Sequence, residues 1–382
     1  MYDGDRSALT NKPLPLKNNY WWLLACATAL VTTCPAARAE TAASTSEEKA
    51  EPPTTAEKFE RSPWLIAPIV QSSPKLGSSL GALVGYLHYF DEKSRPSIFA
   101  LQGQYSSTDS IVGGLFAKAS FAEDRQRLAA GFLYGYVKND YDDYLGTGVP
   151  LKSNTDLRSA FTRYTYRVHG NWFLGAQGVY QNCTSSGETP ADEDLIDILG
   201  VKPYKSGGLG LVVSYDSRDD ENTPTKGWLV NLNNIAYRES LGGEQDFDVI
   251  RAEIRYYLPH GEGHVLAIRQ LNNFTKDAPT LARASVQLRG YKVGQYNGQY
   301  MSSLEAEERW RLAKKWTVTV FAGVAAVYGD GQDLSDSDNL YPAAGGGLQY
   351  VLKPKQGIVL NLEYAQGKDD NYGVYLKMGY AY

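Results

Sequence analysis

From Pro63 onward, apolar and polar residues alternate in short runs separated by clusters of Gly, Asp, Asn, Pro and Ser, and no stretch sustains a 3.6-residue repeat. Strict alternation puts successive side chains on opposite faces of an extended strand. In WTVTVFAGVAAVY one face carries Trp316, Val318, Val320, Ala322, Val324, Ala326 and Tyr328, an apolar band with an aromatic ring at each end. In GVYLKMGYAY the apolar face is Val374, Leu376, Met378, Tyr380 and Tyr382, set against Tyr375, Lys377, Gly379 and Ala381. A soluble β-sandwich would turn a polar face to water, whereas an apolar band rimmed by rings suits a strand that faces lipid. Counting the segments, from 64–70 to 373–382, predicts about 16 strands, an even number. Most connections after even-numbered strands are short (HGN, LAKK, KPKQG). Several after odd-numbered ones are long, such as NDYDDYLGTGVPLKSNTD and NCTSSGETPADEDLIDILGVKPY. The expected fold is therefore all-β, a transmembrane antiparallel β-barrel over 63–382 with short periplasmic turns, long outer loops and both termini periplasmic.

Composition sharpens this picture. The 28 Tyr, 7 Trp and 37 Gly suit interfacial rings and tight turns, and a mean hydropathy of −0.38 is too polar for a helical membrane protein. A formal charge of −5 over 382 residues argues for no nucleic-acid partner. At the N-terminus, Lys12 and Lys17 precede the apolar run YWWLLACATALV, and Ala37-Arg38-Ala39 offers a cleavage site. Residues 1–39 are read as a signal peptide, and the polar segment 40–62 as a disordered periplasmic linker. Cys26 and Cys34 would leave with the signal, and Cys183 alone would remain, which excludes an intramolecular disulfide and a four-cysteine zinc site.

Several stretches, taken in order, resemble the BamA/TamA-like family of bacterial surface antigen barrels. YDSRDDENTPTKGW (215–228) looks like that family's periplasmic turn between two mid-barrel strands. LRGY (Leu288, Arg289, Gly290, Tyr291) looks like the tip of its long sixth extracellular loop, with five strands remaining after it. NLEYAQG and GVYLKMGYAY look like its last two strands. The resemblance implies an outer-membrane protein of a Gram-negative bacterium that assists insertion, translocation or export of proteins or lipids. Its implied partners are outer-membrane lipids and lipopolysaccharide, an unfolded protein or lipid client, a separate periplasmic partner, and the barrel-assembly machinery for its own insertion. There are two departures. The tail 40–62 stands where the family carries client-receiving POTRA domains, and FAGVA puts Gly323 where the family tends to have an inward aspartate.

The residues themselves suggest where the chemistry lies. Arg289 is expected to fold inside the barrel, because a guanidinium confined in a lumen needs carboxylates, and its planar fork suits them. Glu305, Glu307 and Glu363, on the inward faces of their strands, are the candidate partners. Gly290 would allow the sharp turn at the tip, and Tyr291 would pack beside it. Pro68 lacks an amide for the closing ladder, and Gly373 and Gly379 weaken the opposite edge. The resemblance makes this seam a lateral gate. Leu376, Met378, Tyr380 and Tyr382 resemble a C-terminal insertion signal. The segment YDSRDDENTPTKG reads as a hydrated turn. His88, His169, His260 and His264 form no catalytic constellation, so no enzyme activity, cofactor or metal site is expected. GDGQDLSDSDN lacks the ligand order of a calcium loop, though an acidic outer loop could hold divalent cations near lipopolysaccharide. The alternative function is a passive pore or structural barrel on the same scaffold.

Overall fold

A computed structural model describes residues 62–378 apart from 74–76, 142–150, 199–203, 222, 280–281, 292–295, 330, 335, 354–357 and 369–370. The signal and linker assignments, together with Gly379, Tyr380 and Tyr382, lie outside the described residues. Sixteen antiparallel strands form one sheet in which neighbours in sequence are neighbours in space. They are β1 (Trp64–Ser73), β2 (Gly77–His88), β3 (Ser97–Ser106), β4 (Ile111–Phe121), β5 (Gln126–Tyr141), β6 (Leu151–His169), β7 (Trp172–Gly187), β8 (Tyr204–Asp216), β9 (Gly227–Tyr237), β10 (Phe247–His260), β11 (His264–Lys276), β14 (Tyr300–Ala313), β15 (Trp316–Tyr328), β16 (Leu340–Lys353), β17 (Ile358–Gly367) and β18 (Tyr372–Met378). Between β11 and β14 the chain turns into the lumen, where β12 (Ala284–Ser285) and β13 (Asn297–Gly298) form a ladder of their own.

The sheet curls into a barrel whose polarity is the reverse of a soluble protein's. Ile66, Leu80, Leu101, Leu115, Leu211, Leu304 and Leu362 are exposed on the outside, while Gln177, Asn233, Glu253, Glu307 and Asn361 are buried inside. Aromatic residues mark the rims. At the short-turn end, cross-strand partners bring their rings together as Trp64–Tyr86, Trp172–Tyr215, Trp228–Tyr256 and Trp316–Tyr350, with centroids 5.1, 5.1, 4.1 and 4.7 Å apart; Trp228–Tyr256 is stacked and the others meet edge-on or tilted. Phe274, Tyr300 and Tyr328 form a similar ladder at the other end. From Trp316 to Tyr328, β15 rises about 40 Å, or roughly 28 Å once tilted by about 45°, which matches a hydrocarbon layer. Among the described residues no helix is long and apolar enough to cross a membrane, a finding that bears only on helices.

Two segments differ from the sequence reading. β6 starts at Leu151 and β7 runs to Gly187, well past the cores 157–168 and 171–181, because paired strands keep hydrogen-bonding to each other beyond the apolar band. In the connection from β7 to β8, which the sequence showed only as long, lies α1 (Pro190–Ile198). Thr189 and Asp192 cap it reciprocally, with the Asp192 amide donating to Thr189 Oγ1 at 3.3 Å and the Thr189 amide to Asp192 Oδ2 at 3.1 Å. With Pro190 at the first helical position, Thr-Pro-Ala-Asp is a legible start signal for a helix too short to show periodicity.

The edge strands β1 and β18 lie in contact, yet among the described residues no ladder joins them. The Leu87 amide donates to the Pro63 carbonyl at 2.9 Å, which sets the phase of the β1–β2 pairing. Even-numbered residues of β1, Pro68 among them, therefore turn their backbone groups toward the seam. Gly373 lies in β18 opposite Ala365 of β17.

Candidate functional site: the loop docked in the lumen

The segment from Ala284 to Tyr291 is seated on the inner wall of the C-terminal strands. Ala284, Val286, Leu288 and Tyr291 pack against Leu271, Met301, Ala325, Val327 and Ala343 in one apolar cluster inside the barrel. Here the polar lumen wall gives way to apolar residues, so the loop hides its own apolar face there.

At its tip, Arg289 is 8% exposed. Nη2 donates to Glu305 Oε1 at 2.7 Å and Nη1 to Glu307 Oε2 at 2.6 Å, with Glu363 Oε2 3.6 Å away. The guanidinium also lies 3.4 Å from the centroid of the Phe321 ring. Phe321 has room to lie there because residue 345 is glycine: a Cβ at that position would stand 2.5 Å from the ring. Residue 323 presents no carboxylate, and a Cβ there would crowd the Glu305 Cα and Cβ at 3.1 Å. Glu305 of β14, directly opposite Gly323, supplies the charge instead.

Gly290 adopts φ +94°, the left-handed region that favours glycine, and a Cβ there would press on the Gly367 nitrogen at 3.1 Å. Its amide donates to Tyr375 Oη at 2.9 Å, so the tip also touches the seam strand β18. The Tyr291 hydroxyl donates to the Pro342 carbonyl at 2.5 Å and accepts from the Lys368 amide at 2.7 Å. The structure thus brings together Arg289 with all three glutamates named from the sequence. The reading missed Phe321 and Tyr375, which carry no charge pattern, and Arg309, whose Nε donates to Glu307 Oε1 at 2.7 Å. Leu376 is exposed on the outer face of β18, and Met378 ends that strand.

Arg309 leads to a second network, where the hydrated-turn reading of YDSRDDENTPTKG fails. Its Nη1 donates to the Pro224 carbonyl at 3.3 Å, because the β8–β9 turn tucks into the short-turn mouth of the lumen. Asp216 accepts from Arg218 Nε at 2.8 Å, from Arg127 Nη1 at 3.0 Å and from Arg95 Nη1 at 3.2 Å. Glu221 pairs with Lys118 and with Arg95, and Asp124 with Arg127 and Arg167. The turn is polar because its partners line a barrel wall, a reason that local pattern cannot distinguish from hydration. Burial pushes the Glu221 carboxyl up, but Lys118, Arg95 and Arg218 outweigh it and hold it well below the usual carboxylate range. Asp124 is likewise held down, with Arg127 and Arg95 prevailing over burial.

A carboxylate whose folded pKa is depressed stabilises fully above its unfolded value, about 4, and that stabilisation is lost as pH falls through the folded value. The temperature at which the barrel loses its compact electrophoretic form should therefore be constant from pH 8 to about 5 and fall below about 4. In Glu221→Gln, part of that acid-dependent drop should be gone.

Fold and lumen together define a membrane β-barrel closed internally by its own docked loop. The Omp85 superfamily domain matches residues 95–381. The chain belongs to the Omp85 superfamily. Among solved structures it is similar to BamA from Haemophilus ducreyi lacking POTRA domains 1–3, at 16% identity and TM-score 0.52, over 84% of this chain and 70% of that one. It is also similar to CdiB from Acinetobacter baumannii (11% identity, TM-score 0.56, 83% of this chain and 59% of that one). The figures for CdiB from Escherichia coli are 11%, 0.56, 83% and 62%. At these identities the likeness concerns the fold. A comparison with curated proteins finds no match.

Proposed function

We propose that this barrel sits in the outer membrane of a Gram-negative bacterium and assists the insertion, translocation or export of a protein or lipid client, without enzymatic chemistry. In this reading the short-turn end faces the periplasm, where a separate partner delivers the client, and the outer rim meets lipopolysaccharide. One observation carries the proposal: the lumen loop is anchored on Glu305 and Glu307 of β14 and reaches across to Tyr375 of the seam strand β18. A loop docked in the lumen and tied to the least-paired edge suits a barrel whose edge must open better than it suits a passive pore. The β1–β18 contact, with Pro68 withholding a donor, is the place where a client strand or acyl chain would enter.

The decisive experiment is a crosslinking pull-down from outer membranes, expected to capture an unfolded barrel precursor or a periplasmic POTRA protein. Steady ion conductance with no captured client would favour the passive-pore alternative. Locking the seam is the complementary test. With Cys183 replaced by serine, a cysteine pair across β1 and β18 should abolish client insertion when oxidised and restore it when reduced. Full activity in the oxidised form would remove the seam from the mechanism.

A further inference from the structure

Halfway along the lumen, charge is out of balance. Arg163 of β6 and Arg251 and Arg255 of β10 stand near one carboxylate, Glu253 of β10, which is already paired with Arg255 and with Arg269 of β11. Arg255 and Arg269 both donate to Glu253 Oε1, at 2.8 and 2.7 Å. Arg251 donates to Gln287 Oε1, at 3.0 Å, and stands among Arg163, Arg255 and Arg269 as well as Glu253. Arg163 donates Nε and Nη2 to one neutral acceptor, Gln177 Oε1, at 2.9 and 2.6 Å. Among the described residues, neither Arg163 nor Arg251 has a carboxylate within ion-pair distance.

Arg163 and Arg255 line a cavity of about 120 Å³ whose other wall is the mouth network, with Lys118, Arg127 and Arg218. The two carboxylates of that wall are already engaged, Asp216 by three guanidiniums and Glu221 by Lys118 and Arg95. The cavity holds roughly four waters by volume, enough for one oxyanion. Crowded guanidiniums in a confined, partly desolvated space repel one another, and an anion that forms forked hydrogen bonds relieves that repulsion.

We propose that this cavity is an oxyanion site in which Arg163, backed by Arg255 and Arg127, binds a phosphate group, carried either by the free ion or by a lipid headgroup. The proposal is independent of client translocation, and its failure would leave that reading intact. The test is titration calorimetry of the folded full-length barrel in an uncharged detergent, with inorganic phosphate and then glycerol phosphate at constant ionic strength set by chloride. Wild type should bind phosphate saturably, and Arg163→Gln should bind at least tenfold more weakly. Arg311→Gln, which alters an exposed arginine at the rim, should bind as wild type. Preference for glycerol phosphate would mark the headgroup as the source, and the reverse order the free ion. Gln177→Glu provides a second route should Arg163→Gln fail to fold, because it hands Arg163 a carboxylate and should displace phosphate from a folded barrel. Wild type giving no heat beyond the chloride control, or either variant binding phosphate as wild type does, would overturn the site.

Discussion

Arg289→Glu is expected to destroy the heat resistance of the barrel. The substitution removes the one cation that Glu305 and Glu307 share at 2.7 and 2.6 Å and adds a further carboxylate to a pocket where Glu307 is fully buried. Removing one partner of a buried pair costs about 3–5 kcal/mol, and reversing the charge exceeds that. The loop tip would leave the wall, exposing Leu288 and Tyr291 and releasing the Gly290 contact to Tyr375. Arg289→Lys should be intermediate, because an ammonium cannot span both carboxylates with a planar fork. Adding Glu305→Arg to Arg289→Glu should recover part of the loss. Glu305 is the better site for this exchange, since Glu307 must also hold Arg309. Folded fraction by heat-modifiable migration, together with urea midpoints in lipid vesicles, reads all four proteins. A wild-type midpoint in Arg289→Glu would mean that the loop contributes nothing from inside the lumen.

Asp216→Asn should have the next largest effect. The amide keeps the shape but loses the charge that three guanidiniums address, those of Arg218, Arg127 and Arg95. Arg218, 9% exposed, would be left facing the other cations of the mouth. The expected loss is about 3–5 kcal/mol, accompanied by release of the β8–β9 turn toward solvent. Limited proteolysis should then cut at Lys226 in the variant and not in wild type. An unchanged urea midpoint with continued protection of that turn would show that the mouth network contributes little.

How much of this was legible depended on whether a residue's role was local. The strand count followed from alternation, because period two places one face in lipid wherever the strand lies, as in Trp316–Tyr328. A buried arginine needs carboxylates, so Arg289 and its three glutamates could be named from the sequence with no knowledge of their distances. α1 left a cue in Thr189-Pro190-Asp192, but nine residues give a helix too little length for periodicity to show. Nothing in Phe321 or Tyr375 announces a contact with Arg289, since each meets the loop tip only because β15 and β18 line the wall beneath it.

The sequence by itself determined the barrel, its sixteen strands, its apolar exterior and the charge types inside, because each follows from a one-residue alternation between two environments. The tertiary structure decided which polar residues face one another across the lumen. The turn 217–226 is as polar as any hydrated loop, and only the closing of the sheet brings Asp216, Arg95 and Arg127 to one point from β8, the β2–β3 connection and β5. Likewise Arg163 stands beside Arg251 and Arg255 because curvature joins β6 to β10 across the interior. Pairing between neighbouring strands is written along the chain, whereas proximity across a barrel depends on its closure, to which every strand contributes at once.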